Sequence, residues 1–478
     1  MKNDYLQSGL SRRAFLGGAF ATFGGMMLPA AAFGGGAPNL KLGVISDVHV
    51  SAMWDQEKYI EKALRWFDAQ GVDAVMVPGD IAHSGLISEL TRFANVWYKV
   101  FPADRGADGR HVEKLFVTGN HDLDAWWTRG SDEHLRKVKF SHGDNRQTVW
   151  KRLFHEEYQE IWKKEVKGYV FIGAQWPKPK PAIEAWFETH ATELKGPKPF
   201  FFTQHAHPKG TCHLGYVSYD DGTATRALEK FPNAVAITGH SHQTLADDSF
   251  VWQSAFTSIN AGCLRAGGND RWGMNYDSIY PAWMRNRVKD NRMKPLAEEE
   301  GRGGLLIDVF DDRLVVHRRS FEYDMPFGED VCLPLPASGR SAFMPVNARA
   351  KRVGPKFPAG ARVEVESCAV APASIVGPAL KGKPCVHVKI PYAEPAKPGC
   401  RVYDYLVEML VDGEPKIERL VLANGFNVPE VHARRTSNCL FGADEVPAGK
   451  DVRFRVTPRD SFRIVGAAIT SAPVRLPR

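Results

Sequence analysis

Five short blocks of Asp, His and Asn each close a short apolar run: Asp47-Val48-His49, Gly79-Asp80, Gly119-Asn120-His121-Asp122, Gln204-His205-Ala206-His207-Pro208 and Gly239-His240-Ser241-His242. The runs that precede them, residues 40–46, 74–78, 115–118, 200–204 and 235–238, have the length and character of buried strands, as does 169–174. Between the first runs, Ile60, Ala63, Leu64 and Phe67, then Leu86, Leu90, Phe93 and Trp97, recur at the spacing of one helix face. Gly71 can end the first helix. Alternating strands and helices predict a layered α/β core over residues 40 to about 320, finished by a hairpin of 304–309 and 314–317 around Asp311-Asp312. In such a core the loops after strand C-termini converge on one edge. Blocks spread from residue 47 to residue 242 then meet at one place.

A chain of 478 residues exceeds what one hydrophobic core usually serves, and a second unit is predicted. The pattern changes at residue 324. Pro326, Pro334, Pro336, Pro345, Pro355 and Pro358 mark residues 324–358 as a linker or wrapped connection between an α/β unit at 37–323 and an all-β unit at 359–478. In the latter, 362–366, 386–390, 403–410, 418–422 and 452–456 read as short strands, with turns at Asp412-Gly413 and Pro447-Ala448-Gly449. That predicts a β-sandwich of immunoglobulin or fibronectin-III type.

Residues 1–36 read as an export signal: Ser11-Arg12-Arg13-Ala14-Phe15-Leu16, a small-residue and apolar stretch, then Ala30-Ala31-Ala32. The pattern resembles a twin-arginine signal, which implies passage through that export machinery already folded, to the periplasm or beyond. No other segment approaches about 18 unbroken apolar residues, so no stable membrane span is expected in the mature chain. The net charge is +7, of which Lys2, Arg12 and Arg13 against Asp4 contribute +2; the remaining +5 is too dilute to call for nucleic acid. The seven cysteines contain no C-x-x-C pair, which argues against a zinc-thiolate site; buried thiols are expected, with a disulfide among the later cysteines as the alternative.

Carboxylate, amide oxygen and imidazole together are donors for Zn, Fe or Mn. Asp-x-His or Gly-Asp alone is common; the ordered set, each member after a predicted strand, is not. The series resembles the motifs of the calcineurin-like metallophosphoesterases over residues 40–320. The resemblance implies a four-layer α/β/β/α sandwich, two facing sheets flanked by helices, with two divalent or mixed-valence ions (Mn, Zn or Fe) at the sheet edge. It implies that Asp47, His49 and His242 bind one ion, that Asn120, His240 and a histidine of the fourth block bind the other, and that Asp80 bridges both. His205, directly after its strand, is preferred over His207, which is then left near the substrate or behind the ligands. His121 resembles the family's non-ligand histidine facing the leaving group. Some members carry an aspartate three residues after the bridging one to orient that histidine; here the position is His83, and Asp122 or Asp124 are the nearby carboxylates.

The implied chemistry is hydrolysis of a phosphate ester, by hydroxide held between ions about 3.5–4 Å apart, with His121 assisting the departing oxygen. A small phosphorylated substrate is expected. The same site could instead serve a cyclic-nucleotide or other small diesterase or a nuclease, and a non-catalytic surface-binding protein is the competing class. Trp126, Trp127, Trp272, Tyr276, Tyr280 and Trp283 are read as packing a cap-like insertion; the alternative is an apolar or aromatic leaving-group site, with Arg265, Arg271 or Arg285 near the phosphate.

Overall fold

The computed structural model describes residues 36–52, 55–122, 146–176, 182–212, 220–265, 292–294, 298–338, 353–396, 399–462 and 464–475. Residues 1–35 of the segment 1–36 read as an export signal, and Asp124, Trp126, Trp127, Arg271, Trp272, Tyr276, Tyr280, Trp283 and Arg285, lie outside these residues. The chain runs through β1 (Leu40–Val44), α1 (Glu57–Gln70), β2 (Ala74–Pro78), α2 (Ile87–Val100) and β3 (Glu113–Val117). It continues with α3 (Arg146–Phe154), β4 (Ile161–Val166), β5 (Tyr169–Ala174), α4 (Ala182–Thr189), α5 (Ala191–Leu194), β6 (Phe200–Thr203), α6 (Thr223–Leu228) and β7 (Ala234–Thr238). Then come β8 (Val251–Gln253), β9 (Thr257–Asn260), β10 (Gly303–Val309), β11 (Arg313–Ser320), β12 (Met325–Pro326) and β13 (Val331–Pro334).

These strands form two mixed sheets. One has the order β12-β11-β10-β1-β2-β3, with β13 also on β11; the other is β4-β5-β6-β7-β9-β8. In the first, β1, β2 and β3 are parallel, and in the second β5, β6, β7 and β9 are. Leu42, Met76 and Leu115 of one sheet share a core cluster with Phe171, Phe201 and Val235 of the other. Outside the first sheet, Val75 and Val77 pack with Ile60, Leu64 and Phe67 of α1 and Phe93 and Trp97 of α2. Outside the second, Phe200 and Phe202 pack with Phe187 of α4 and Ala224 of α6. The apolar spacing read from the sequence is thus the buried face of α1, and Gly71 closes that helix at φ 75°, donating to Phe67 and Asp68.

The C-terminal residues form β14 (Glu364–Cys368), β15 (Cys385–Ile390), β16 (Val402–Val411), β17 (Glu414–Leu422), β18 (Ser437–Gly442), β19 (Val452–Asp460) and β20 (Ile469–Thr470). They make two antiparallel sheets, β14-β15-β18 and β17-β16-β19-β20. Val386, Val388 and Phe441 of one share a core cluster with Tyr405, Val407, Phe454 and Val456 of the other. Asp412 and Gly413 both take positive φ, the backbone a two-residue hairpin turn demands.

One sequence expectation is resolved and one adjusted. Of the two readings, linker or wrapped connection, residues 325–334 take the second, because β12 and β13 pair with β11 and extend the first sheet. Proline confined the reading there, yet an edge strand tolerates it where no ladder donor is needed. The first C-terminal strand begins at Glu364, since Arg362 falls before the paired register. All seven cysteines are free thiols, five of them buried. No described helix is long and apolar enough to cross a membrane.

A set of buried hydrogen bonds joins the two halves. Residues 245–248, just downstream of the fifth block, are held by the C-terminal part. The buried Arg401 donates from its backbone to Asp247 Oδ2 (2.7 Å) and from its guanidinium to the carbonyls of Ala246 and Phe327. Ser461 donates to Asp247 Oδ1 (2.6 Å), and Asp248 N donates to the Gly399 carbonyl (2.7 Å).

His317 on β11 places one ring nitrogen 2.9 Å from Asp330 and the other 3.3 Å from Asp308. Burial opposes its charge, but the two carboxylates outweigh burial and raise its pKa to about 9. A folded-state pKa above the unfolded value of about 6.5 gives stability fully present below that value and lost as pH rises through the folded one. The midpoint of thermal unfolding should therefore fall from pH ~6.5 to ~9 more steeply in the wild type than in His317→Gln. Parallel pH profiles for the two proteins would refute this assignment.

Candidate metal centre

The five blocks leave their strands at one edge, where the loops after β1, β2, β3, β6 and β7 converge. Asp47, His49, Asp80, Asn120, His121, His205, His240 and His242 are all buried there. Five of them, Asp47, His49, Asp80, His240 and His242, have positive φ between 49° and 71°. That conformation costs a non-glycine residue on the order of 1–3 kcal/mol and concentrates at functional sites. Neighbouring glycines make the close approach feasible. A Cβ at Gly119 would lie 2.1 Å from Asp80 Oδ1, and one at Gly239 would lie 2.0 Å from Ser46 Oγ and 2.4 Å from Asp47 Oδ2.

Two donor groups share Asp80: Asp47, His49, Asp80 and His242 form one, and Asp80, His205 and His240 the other. In the first, His242 Nε2 stands 3.1 Å from Asp47 Oδ1 and 3.0 Å from His49 Nε2, and His49 Nε2 stands 3.6 Å from Asp80 Oδ2. In the second, His205 Nε2 is 3.1 Å from Asp80 Oδ2 and 3.0 Å from His240 Nδ1. Imidazole nitrogens that face each other at 3.0 Å share one proton as a hydrogen bond, or turn both lone pairs to a common cation when one is bound. Asn120 supplies a buried Oδ1 with no hydrogen-bond partner, an orphaned acceptor that an ion would satisfy.

Electrostatics agree. Burial pushes His49 and His240 well below the usual histidine range. Burial works the same way on His205, but Asp80 overcomes it and lifts the group to about 9. His242 is likewise raised against burial, by Cys263 and Asp47. Two buried carboxylates demand positive charge, and metal ions can supply it. With carboxylate, amide and imidazole donors, the residues present fit Zn, Fe or Mn.

The surrounding residues orient the donors. His205 Nδ1–H donates to the Pro78 carbonyl (2.7 Å), which fixes the ring with Nε2 toward Asp80, the atom that a bound ion would take as its ligand. Ser46 Oγ donates to Asp47 Oδ2 (2.7 Å), and the backbone N–H of His240 donates to both Asp47 oxygens. The structure places His205 in the donor groups and keeps His207 out of them. His207 Nδ1 lies 2.6 Å from Thr238 Oγ1 and its Nε2 lies 2.8 Å from Ser241 Oγ.

His121 is oriented in a way the sequence did not suggest. Its Nδ1–H donates to the backbone carbonyl of His83 (2.6 Å), leaving Nε2 3.9 Å from Asp80 Oδ2. The residue standing where a carboxylate was sought thus contributes a main-chain acceptor. Asp122 instead ties two site loops together, Oδ1 accepting from Ala82 N and Oδ2 from Gly119 N, both at 2.7 Å. Burial, then the Asp80 charge, raises Asp122 to about 7. The His83 ring stands 5.5 Å from that of His121 and 5.6 Å from that of His49, and burial lowers it to about 4.

Sequence reasoning missed Ser46, Cys263 and Trp176. The Cys263 thiol faces the Asp47 carbonyl at 3.3 Å. Trp176 stacks against His240 at 6.3 Å and meets His205 edge-on. It lies just beyond the end of β5, so the strand-end rule that picked out the five blocks would have found it.

Residues 40–244 match the calcineurin-like phosphoesterase family. No curated protein matches the chain. Among solved structures, the chain is similar to a dimetal phosphatase from Danio rerio (12% identity, 62% of this chain and 99% of that one, TM-score 0.37). It is also similar to the purple acid phosphatase PPD1 from yellow lupin seeds, Lupinus luteus (14%, 62% and 55%, TM-score 0.40). A third similarity is to GAP50, described as the anchor in the inner membrane complex of Plasmodium (11%, 64% and 90%, TM-score 0.35). The family match spans all five blocks, and their donors converge in two groups; residues 40–244 carry a calcineurin-like phosphoesterase domain, and the chain is a metal-dependent phosphoric ester hydrolase.

Proposed function

We propose that this protein is an exported dinuclear phosphoesterase acting on small phosphorylated substrates. The observation that carries the reading is the pair of buried donor groups sharing Asp80. Asp47, His49 and His242 would hold one ion and Asn120, His205 and His240 the other, with Asp80 between them. The fold reading that goes with it is a four-layer α/β/β/α sandwich followed by a sandwich of immunoglobulin or fibronectin-III type. Ser11-Arg12-Arg13 and the apolar stretch after it support folded export by the twin-arginine route to the periplasm or beyond.

Two divalent ions in this position supply neutralisation of phosphoryl charge and activation of water at neutral pH. The chain's own residues do the rest. His121, with Nδ1 fixed on the His83 carbonyl, turns Nε2 into the site, where it can carry a proton for the leaving oxygen. Burial lowers this histidine, while the Asp80 charge, like any anionic ester set against it, favours the protonated form. Arg265 follows β9, bonds its N–H to the Asp47 carbonyl (3.3 Å), and its charge depresses His49 and His83; it is the described cation placed to meet a phosphate.

Purified protein should contain two metal equivalents per chain and hydrolyse an aryl phosphate, with both properties lost on chelation and restored by Mn, Zn or Fe. Asp80→Asn should lower turnover by on the order of a thousandfold or more and reduce metal content, since both ions lose a shared charge. Elemental analysis showing fewer than one metal per chain in active wild type would defeat the reading. Parallel rates on mono- and bis-aryl esters would then tell a monoesterase from a diesterase.

His121→Gln should slow turnover by roughly 10²–10⁴ with metal content intact, as removal of a proton donor does. His205→Ala should empty one metal position and His207→Ala should not. If His207→Ala alone depletes metal, the fourth block contributes the other histidine.

A further inference from the structure

A second set of metal-type donors lies on the β14-β15-β18 sheet. Val365 packs with Val386 and Val388 on the inner face of this sheet. Alternation then sends Glu366 and Cys368 of β14, and Cys385 and His387 of β15, to the other face. Glu366 stands opposite His387 and Cys368 opposite Cys385 in the antiparallel register. One ligand atom each from Glu366, Cys368 and His387 falls within 4.8 Å of the others. Donors around a tetrahedral ion at zinc bond lengths lie about 3.5 Å apart, so a side-chain adjustment of about 1 Å closes the site.

An independent observation points to a ligand. His387 is 6% exposed, and its Nε2–H donates to Asn438 Oδ1 across the sheet at 2.9 Å. That bond puts the lone pair of the neutral ring on Nδ1, which is buried without a hydrogen-bond partner. An oxygen acceptor behind one ring nitrogen, with the other bare and aimed at a thiol and a carboxylate, is how ligating histidines are held. Glu366 offers the complementary oxygen. Lys389 takes Oε1 at 2.5 Å, and Oε2 faces His387 Nδ1 at 4.0 Å.

We infer that Glu366, Cys368 and His387 bind one divalent ion of the zinc class, separate from the catalytic pair and independent of how that pair is read. Thiol, imidazole and carboxylate together suit Zn²⁺ or Co²⁺, whereas Mg²⁺ and Ca²⁺ favour all-oxygen sites. On binding, the Cys368 thiol loses its proton to solvent and the sulfur takes up the metal; no oxidant is involved. Cys385 faces Cys368 in the register but stands outside the three-donor group. With three protein ligands and one of them exposed, a coordination position stays open to solvent.

Cobalt(II) titrated into the reduced full-length protein gives the test, because a thiolate-to-cobalt charge-transfer band in the near ultraviolet reports only sulfur ligation. The band should appear in wild type and in Cys263→Ser, and vanish in Cys368→Ser while aryl phosphate turnover stays unchanged. Asn438→Ala should weaken the cobalt affinity read from this band by roughly 10–100-fold, as loss of such a support does. His387→Gln provides a second variant should Cys368→Ser fold poorly, and it too should lose the site. A wild-type titration without the band, or a band that persists in Cys368→Ser, overturns the assignment.

Discussion

Asp80 sits at the end of β2 with its carboxylate buried, and three histidines from three other loops, His49, His121 and His205, approach it within 3.1–3.9 Å. Asp47 adds a second buried carboxylate beside His242. Two anions removed from water in so small a volume need cations close by, and every loop at this edge is shaped to meet that need. The imidazoles face one another in pairs at 3.0 Å around these carboxylates. The glycines before Asn120 and His240 bring main chain against the two carboxylates.

Much of this was legible from residue types and their position after apolar runs. The strands at 74–78 and 169–174 fall where the sequence placed them, and the helix face of Ile60, Ala63, Leu64 and Phe67 is the buried one. Those signals are strong because a strand buried on both faces must be apolar and a packed helix must repeat near every 3.6 residues. Strand β4 escaped notice because its IWKKEV sequence is an exposed edge carrying charges, as edge strands do. Strands β12 and β13 escaped because proline masks edge pairing.

At the site, side-chain identity was readable and main-chain contribution was not. The His83 carbonyl that orients His121 exists at every residue, so no sequence pattern announces it. The search for a carboxylate partner therefore looked to Asp122, whose oxygens instead cap two backbone amides. The choice between His205 and His207 had the same character. Both follow β6, and only the three-dimensional pairing of His207 with the Thr238 and Ser241 hydroxyls separates them.

The left-handed backbone at five of the donors sets a further requirement. At about 1–3 kcal/mol each, the conformations together cost as much as the whole stability of a typical domain, about 5–15 kcal/mol. They persist only if the surroundings over-determine them. Part of that constraint is local, as where the His240 N–H is gripped by Asp47 and the His49 N–H by the Asp80 carbonyl. Part comes from beyond the phosphoesterase domain. The loop bearing His240 and His242 runs directly into residues 245–248, whose polar groups are held by Arg401, Gly399 and Ser461 of the C-terminal part and by Arg318 of β11. Arg318 and Arg401 are themselves buried, so their hydrogen bonds to the Leu245 and Ala246 carbonyls resist exchange with water. The C-terminal part and β11 thus hold the chain at residues 245–248, directly after the loop that carries the fifth block of donors.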